Sequence, residues 1–174
     1  MKVAFCLGSM LLLTFTSVPA FPKQDTIGIY LFARSIDPRG LAQHPGRWKD
    51  LPLARKPIFT DADIIAYDFS KHAMKLEPEA LKRLPRPPAE GTPFVVVVNG
   101  ERIYPGAFYS NISSISCDLP VILVDRRGLD PTSPADILLI ESAYHSQSSA
   151  LGKDLRSDER VRDALANLKK LAAL

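Results

Sequence analysis

The sequence predicts an α+β domain with a mixed, mainly antiparallel sheet of about five to seven strands and two helices packed on it. Short runs of β-branched and aromatic residues alternate with Gly, Pro, Asn and Asp along most of the chain, which is typical of strands joined by turns. Only residues 78–84 and 157–174 show the helical spacing of apolar side chains. With 174 residues, 46% of them hydrophobic, the chain is long enough for one domain with its own core.

The first twenty residues have the pattern of a signal peptide. Lys2 is a positive start, and residues 3–15 are apolar but shorter than the roughly 20 residues of a membrane span. Val18-Pro19-Ala20 supplies small residues for cleavage, so we expect an exported protein, periplasmic or secreted, with no integral membrane segment in the mature chain. An uncleaved anchor is the alternative. The expected organisation is a signal peptide over residues 1–20, one domain over 21–145, a linker over 146–156 and a helix over 157–174.

Residues 94–104 predict a hairpin at the centre of the sheet. An apolar run over residues 94–98 ends at Asn99-Gly100, the dipeptide that best tolerates the positive φ angles of a type I′ turn. A regular two-residue turn would place Tyr104 opposite Val95, on the face opposite to Ile103.

The chain after this hairpin predicts an interruption and then a loop. Pro105 lacks the N–H that a central ladder needs, so we expect the returning strand to be interrupted there, at an edge or a bulge. Residues 108–119 then predict a loop or a short helical turn.

The other elements follow from composition and turn residues. Pro78 suits the first position of a short helix, and Ser157 suits the N-cap of the last one. Residues 34–57 contain many prolines and glycines, and this irregular segment either wraps the core or has a function. Strands are predicted over residues 27–33, 120–125 and 136–142, and a second hairpin, with its turn at Asp68, over residues 63–76.

Charge and spacing exclude several classes of function. The formal net charge is +3, acidic and basic residues are mixed, and no dense basic run with interleaved aromatics is present, so we expect no nucleic-acid partner. The three histidines are far apart, and neither metal-site spacing nor a phosphate-binding glycine loop occurs. The sequence therefore predicts no cofactor and no metal.

The candidate site is the polar stretch after Pro105, which contains the densest group of hydroxyls and the one cysteine outside the leader. Aromatic side chains beside hydroxyls suit a binding loop for a polypeptide or a small ligand. The alternatives are that the hydroxyls satisfy their own backbone in turns, and that the cysteine is buried as a small hydrophobe. Two further interpretations are a thiolate pair of Cys117 with His72 and a disulfide between the Cys117 residues of two chains. The candidate binding residues are Tyr104, Phe108, Tyr109, Ser113, Ser114, Ser116 and Cys117.

Residues 73–106 resemble the first extracytoplasmic domain of the SecD protein-export subunit. A strand leads into Glu77-Pro78-Glu79-Ala80 at a helix start, and the hairpin FVVVVNGERIYPG follows. That family usually has Thr or Ser where this chain has Glu77, and the chain lacks the transmembrane helices of SecD, so proton-driven export is not implied. The resemblance implies a split α+β sheet and contact with polypeptide. Residues 106–120 also resemble exported bacterial proteins, which implies no activity.

Together these observations predict a non-enzymatic exported binding or accessory protein, similar to the SecD periplasmic domain. Its partner would be a polypeptide, a membrane complex or a small ligand, held near residues 104–117. The alternative is a small exported enzyme that uses Cys117 or a loop serine.

Overall fold

The computed structural model describes residues 26–125, 134, 136–146 and 153–174, so the predicted signal peptide and most of the predicted linker lie outside the described residues. Eight strands form one sheet in the order β2-β1-β5-β6-β7-β8-β4-β3, in which only the β6–β7 pair is parallel. This confirms the predicted α+β class, with one strand more than expected. The elements are β1 (Ile27–Leu31), α1 (Pro38–Gln43), β2 (Phe59–Thr60), β3 (Ile64–Asp68), β4 (Ala73–Leu76), α2 (Pro78–Leu81), β5 (Thr92–Val98), β6 (Glu101–Tyr109), β7 (Val121–Leu123), β8 (Ile137–Glu141) and α3 (Glu159–Asn167).

The sheet is strongly curled because its two edge strands are consecutive in the sequence. One turn of 3-10 helix, Asp61–Asp63, joins β2 at one edge to β3 at the other. The four residue steps from Thr60 to Ile64 span at most roughly 14 Å, whereas a flat sheet of eight strands would be roughly 34 Å wide. The turn is held by a capping box in which the Thr60 N–H donates to the Asp63 carboxylate (2.8 Å). The sheet is therefore an incomplete barrel with an inner and an outer face.

The inner face encloses the larger core, and α3 closes it. Tyr67 of β3 and Tyr104 of β6 share this core with Leu165 of α3. The predicted C-terminal helix is confirmed, but the predicted cap at Ser157 is wrong. The Asp158 carboxylate caps the helix instead, by accepting from the Arg160 N–H (3.0 Å). The helix ends at Asn167, earlier than residue 174, and the chain turns at residues 168–169.

Irregular chain covers the outer face. Leu41 of α1 and Trp48 of a 3-10 turn (Arg47–Lys49) pack there with Cys117 and Leu119. Asp37 caps α1 by accepting from the Arg39 N–H (3.0 Å). Residues 34–57 thus wrap the core, which is one of the two interpretations of this segment.

The central hairpin forms as predicted at its turn and then departs from the predicted register. Val98 pairs with Glu101 and Val97 with Arg102, but a bulge follows and Tyr104 faces Val96 rather than Val95. The bulge inserts one residue, so the side chains beyond it change faces. Tyr104 therefore lies in the inner core, and the predicted face for it is wrong.

The predicted interruption at Pro105 is also wrong, because β6 continues to Tyr109 at the centre of the sheet. The Ala107 N–H donates to the Pro120 carbonyl (2.8 Å), on the side of β7. The nitrogen of Pro105, two residues earlier, points to the same side of β6. The pairing of β6 with β7 begins only at Ala107, so the missing N–H of Pro105 removes no hydrogen bond between these strands. Gly106 is required here, since a Cβ would lie 2.7 Å from the Pro120 oxygen.

The remaining predicted elements are confirmed, with shorter limits. The second hairpin pairs β3 with β4, and the Asp68 carboxylate accepts from the N–H groups of Ser70 (2.9 Å) and Lys71 (3.1 Å) in its turn. The short helix has Pro78 in its first turn and ends at Leu81 rather than at residue 84. Across the described ranges, no helix has the length and apolar character needed to cross a bilayer.

Candidate functional site

The structure distributes the predicted binding residues over both faces of the sheet. Tyr104 and Phe108 lie in the inner core, whereas Tyr109 and Cys117 lie in the outer core, and each is at most 2% exposed. Phe108 and Tyr109 are adjacent in β6 and therefore point to opposite faces. Ser113 is buried, and Ser114 and Ser116 are exposed. These residues are not brought together on one surface.

The polar loop after β6 is held inward by its own hydrogen bonds. The Tyr144 hydroxyl lies 3.0 Å from the carbonyl of Ser113 and 3.1 Å from that of Asn111. The Asp125 carboxylate accepts from the Ser110 hydroxyl (2.6 Å) and from the Asn111 N–H (2.8 Å). The Ser113 hydroxyl donates to the Ala89 carbonyl (2.5 Å), so the hydroxyls of Ser110 and Ser113 are both engaged with the protein itself.

Cys117 lies in a setting that suits packing. Its backbone N–H and carbonyl both bond to Tyr144 at 2.8 Å, and its side chain is 1% exposed. Burial raises the pKa of the Cys117 thiol, which disfavours the thiolate that a nucleophile needs. The predicted pair with His72 does not form, because His72 contacts Tyr67 and Ser157 instead.

His72 belongs to a polar cluster that the sequence reasoning missed. Its ring nitrogens lie 3.4 Å from the Tyr67 hydroxyl and 3.4 Å from the Ser157 hydroxyl, and Nε2 lies 3.6 Å from Asp154. Burial, together with the positive charge of Arg156, lowers the pKa of His72. His72 and Asp154 are far apart in the sequence, and no local motif connects them.

Arg156 fastens the segment before α3 to the sheet. Its guanidinium bonds to both carboxylate oxygens of Asp154 (2.9 and 2.6 Å) and donates to the Ile140 carbonyl of β8 (2.6 Å). These hydrogen bonds to Arg156 hold the pKa of Asp154 below its usual range. The pair fixes the position of Leu155, which lies between Asp154 and Arg156 in the chain.

Leu155 lines two depressions, which we together call the cleft. The first, which we call the Trp48 groove, has a volume of about 180 Å³. Apolar side chains from α1, the 3-10 turn and β6 form its walls, so an apolar group is the natural occupant. The residues that line it are Leu41, Ala42, Pro45, Trp48, Ile103, Tyr104, Pro105, Leu119 and Leu155.

The second depression, which we call the Lys153 depression, has a volume of about 210 Å³. Its rim carries Asp118 and Asp154 as well as Lys153 and Arg156, so acidic and basic groups face the same space. Leu155 lines both depressions, which places a polar site directly beside the apolar groove. Of the predicted binding residues, only Tyr104 contributes to this cleft.

No group of three or more His, Cys, Asp or Glu side chains in the described part of the chain could hold a metal ion. Comparison of the chain with protein-family models, with curated proteins and with solved structures gives no match. The resemblance to the SecD domain therefore stays a prediction.

Proposed function

We propose that the protein is a non-enzymatic exported binding or accessory protein, and that its Trp48 groove holds one apolar side chain of a polypeptide. The observation that supports this is the apolar groove between Trp48, Tyr104 and Leu155, open beside the Lys153 depression. Export is inferred from the signal-peptide pattern of residues 1–20, and the resemblance to SecD favours a polypeptide partner.

The size of the groove favours a side chain over a larger small molecule. Its volume of about 180 Å³ is below the roughly 300–1,000 Å³ of pockets that enclose drug-sized ligands. A polypeptide also carries N–H and C=O groups beside each side chain. Lys153 and Asp118, on the rim of the next depression, supply a donor and an acceptor for such groups.

The single tryptophan of the chain lines the groove, so its fluorescence reports on occupancy. The probe is a permanently unfolded, carboxymethylated polypeptide, titrated against the mature protein. We expect a saturable change in Trp48 emission. Ala42→Glu, which places a carboxylate in the groove, should weaken binding at least tenfold.

Gln43→Glu is the matched control, because Gln43 follows Ala42 on α1 but is exposed and does not line the groove. It should bind the unfolded polypeptide like the unaltered protein. Equal weakening in both variants, or no saturable signal, would contradict the proposal. Leucinamide is titrated as a second probe. If it binds as tightly as the polypeptide, the groove is a small-molecule site.

The alternative of a cysteine enzyme requires an accessible thiol with a lowered pKa. Cys117 is buried, and burial raises its pKa, so the geometry gives this alternative no support. Titration of the folded protein with a thiol reagent tests the point. We expect labelling only after unfolding, and rapid labelling of the folded protein would revive the enzyme interpretation.

A further inference from the structure

The outer edge of β3 is occupied by the chain's own residues 170–174, which we call the tail. The Tyr67 N–H donates to the Lys170 carbonyl (2.7 Å), and the Ala172 N–H donates back to the Tyr67 carbonyl (3.1 Å). These two bonds make a parallel bridge between Tyr67 and Leu171. The tail thus adds to the sheet as a short extra strand beyond β3.

Side chains extend this contact in both directions. The Lys170 ammonium donates to the Ile64 carbonyl (2.6 Å), and the Leu174 N–H donates to the Asp68 carboxylate (3.1 Å). Lys71 contacts the Leu174 carbonyl. The edge therefore recognises an extended backbone and, at one position, a basic side chain.

Hydrogen bonds rather than burial hold the tail. Leu171 is 38% exposed, Ala172 and Ala173 are exposed, and Lys170 and Leu174 are half-buried. The tail also leaves α3 at Lys169, whose φ of 57° is a left-handed helix end that turns the chain sharply. A segment with so little buried apolar surface can leave the edge without opening the core.

An edge strand without its tail presents unpaired N–H and C=O groups in a row, which is the template that extended peptides use when they add to a sheet. β2, at the other edge, is only two residues long, so β3 is the longer template. Ile65 on β3 is 40% exposed and gives this edge an apolar side chain as well.

We propose that the β3 edge is a peptide-binding edge that the tail fills within the molecule, and that its partner is an extended polypeptide segment with a basic residue followed by an apolar one. Such a segment enters parallel to β3, places its basic side chain at the Ile64 carbonyl and its apolar side chain beside Tyr67. This inference does not depend on the Trp48 groove, which lies between β6, α1 and the 3-10 turn.

The test uses the full chain with Ala172→Pro, which removes the N–H that bonds to Tyr67. Ala173→Pro is the matched control, because the Ala173 N–H makes neither bond of the bridge. The probe is the acetylated and amidated peptide Lys-Lys-Leu-Ala-Ala-Leu, which has the sequence of residues 169–174. Its version with Asp in place of the first Leu is the negative probe.

We expect Ala172→Pro to speed hydrogen exchange of the Tyr67 amide at least tenfold and to bind the peptide at least tenfold more tightly than the unaltered chain does. Ala173→Pro should resemble the unaltered chain in both measurements, and the Asp peptide should not bind. Ala42→Glu should leave peptide binding at this edge unchanged, which separates this inference from the proposed function.

A second variant that ends after Lys169 empties the edge regardless of the effect of proline, and its fold is checked by circular dichroism. If it is folded and does not bind the peptide, the inference is wrong. If it does not fold, the tail is a structural strand and the inference is equally wrong. Concentration-dependent dimers of Ala172→Pro would show that a second copy, rather than another polypeptide, takes the edge.

Discussion

The two faces of the curled sheet are covered in different ways. The inner face is closed by α3, whose apolar stripe, Val161, Ala164 and Leu165, packs into one continuous core. The outer face is covered by loops, and single side chains anchor them. The Arg102 guanidinium donates to the carbonyls of Trp48 (2.9 Å) and Leu51 (2.7 Å). The Tyr144 hydroxyl contacts carbonyls of the loop after β6 in the same way.

This difference shows how irregular chain can cover a sheet without a hydrogen-bonded ladder of its own. Buried backbone carbonyls need hydrogen-bond donors, and in a helix or a sheet the backbone N–H groups supply these donors in a regular pattern. Along the outer face a few long polar side chains supply part of them. Apolar packing therefore stabilises both faces, and on the outer face individual side-chain hydrogen bonds add to it.

The largest effect is expected for Phe108→Ala on the inner face. Phe108 is fully buried and packs against Phe94 and Phe59, with ring centroids 4.9 and 6.3 Å away. Removing the ring leaves a cavity, and the free energy of unfolding should fall by about 3–5 kcal/mol. Urea denaturation followed by circular dichroism measures this. A loss below about 1 kcal/mol would mean that the inner core is not the main source of stability.

A smaller effect, confined to the outer face, is expected for Tyr144→Phe. Loss of its hydroxyl leaves the Ser113 and Asn111 carbonyls without this donor, at a cost of about 1–3 kcal/mol. Labelling of the Cys117 thiol under native conditions should become faster, because the loop over it loosens.

Tyr109→Phe is the control for that prediction. The Tyr109 hydroxyl is buried beside the Cys117 sulfur, which is a weak hydrogen-bonding group, and it has no nitrogen or oxygen partner among the described residues. Its removal should therefore change the free energy of unfolding by less than about 0.5 kcal/mol. If Tyr109→Phe lowers the free energy of unfolding as much as Tyr144→Phe does, the effect of Tyr144→Phe does not come from the hydrogen bonds of its hydroxyl.

The polar cluster at the edge of the inner face should make stability depend on pH. The pKa of His72 is lower in the folded protein than the roughly 6.5 of an unfolded histidine, so the unfolded chain binds the proton more readily. The free energy of unfolding should fall as the pH drops below about 6.5, until the pH passes below the folded pKa of His72. His72→Asn should remove this part of the pH dependence.

His145→Asn is matched to that variant, because both histidines have a left-handed backbone, with φ of 51° and 49°, but His145 is exposed. Asn tolerates such a φ angle, so neither change strains the chain. The free energy of unfolding is measured by denaturation at several pH values between 5 and 8. Its dependence on pH should become weaker in His72→Asn only. Flattening in both variants would place the effect outside the buried cluster.

The smallest effect is expected at the tip of the loop after β6. Ile112 is 88% exposed, and Ile112→Ser should change the free energy of unfolding by less than about 0.5 kcal/mol. A larger loss of unfolding free energy in denaturation experiments would show that the tip packs against other residues. The loop would then not differ between its anchored part and its tip.

The strands and their order along the chain were predictable, because turn residues such as Asn99-Gly100 and Asp68 act locally. The bulge after Arg102 was not, because both registers keep apolar residues on both faces and only packing decides between them. The sequence pattern assigns Tyr104 and Phe108 to a binding loop, whereas the fold buries both in the inner core, and only Tyr104 also lines the Trp48 groove.

The cleft was beyond prediction for a different reason. Trp48, Tyr104 and Leu155 come from three distant parts of the chain and meet only once the sheet has curled. The same holds for His72 and Asp154. Apolar patterning predicts which residues become buried, but it does not predict which loops come to lie beside each other.

The position of β8 has a consequence for folding. β8 pairs with β7 on one side and with β4 on the other, and it is the strand that joins them in the sheet. While the chain is synthesised from its amino end, β4 and β7 each keep an unpaired edge until residues 137–141 have left the ribosome. β8 is the last strand in the sequence, and its pairing with β4 joins residues more than sixty positions apart, so we expect this pairing to be a late step. Until that step, these edges are open to chaperones and to other chains.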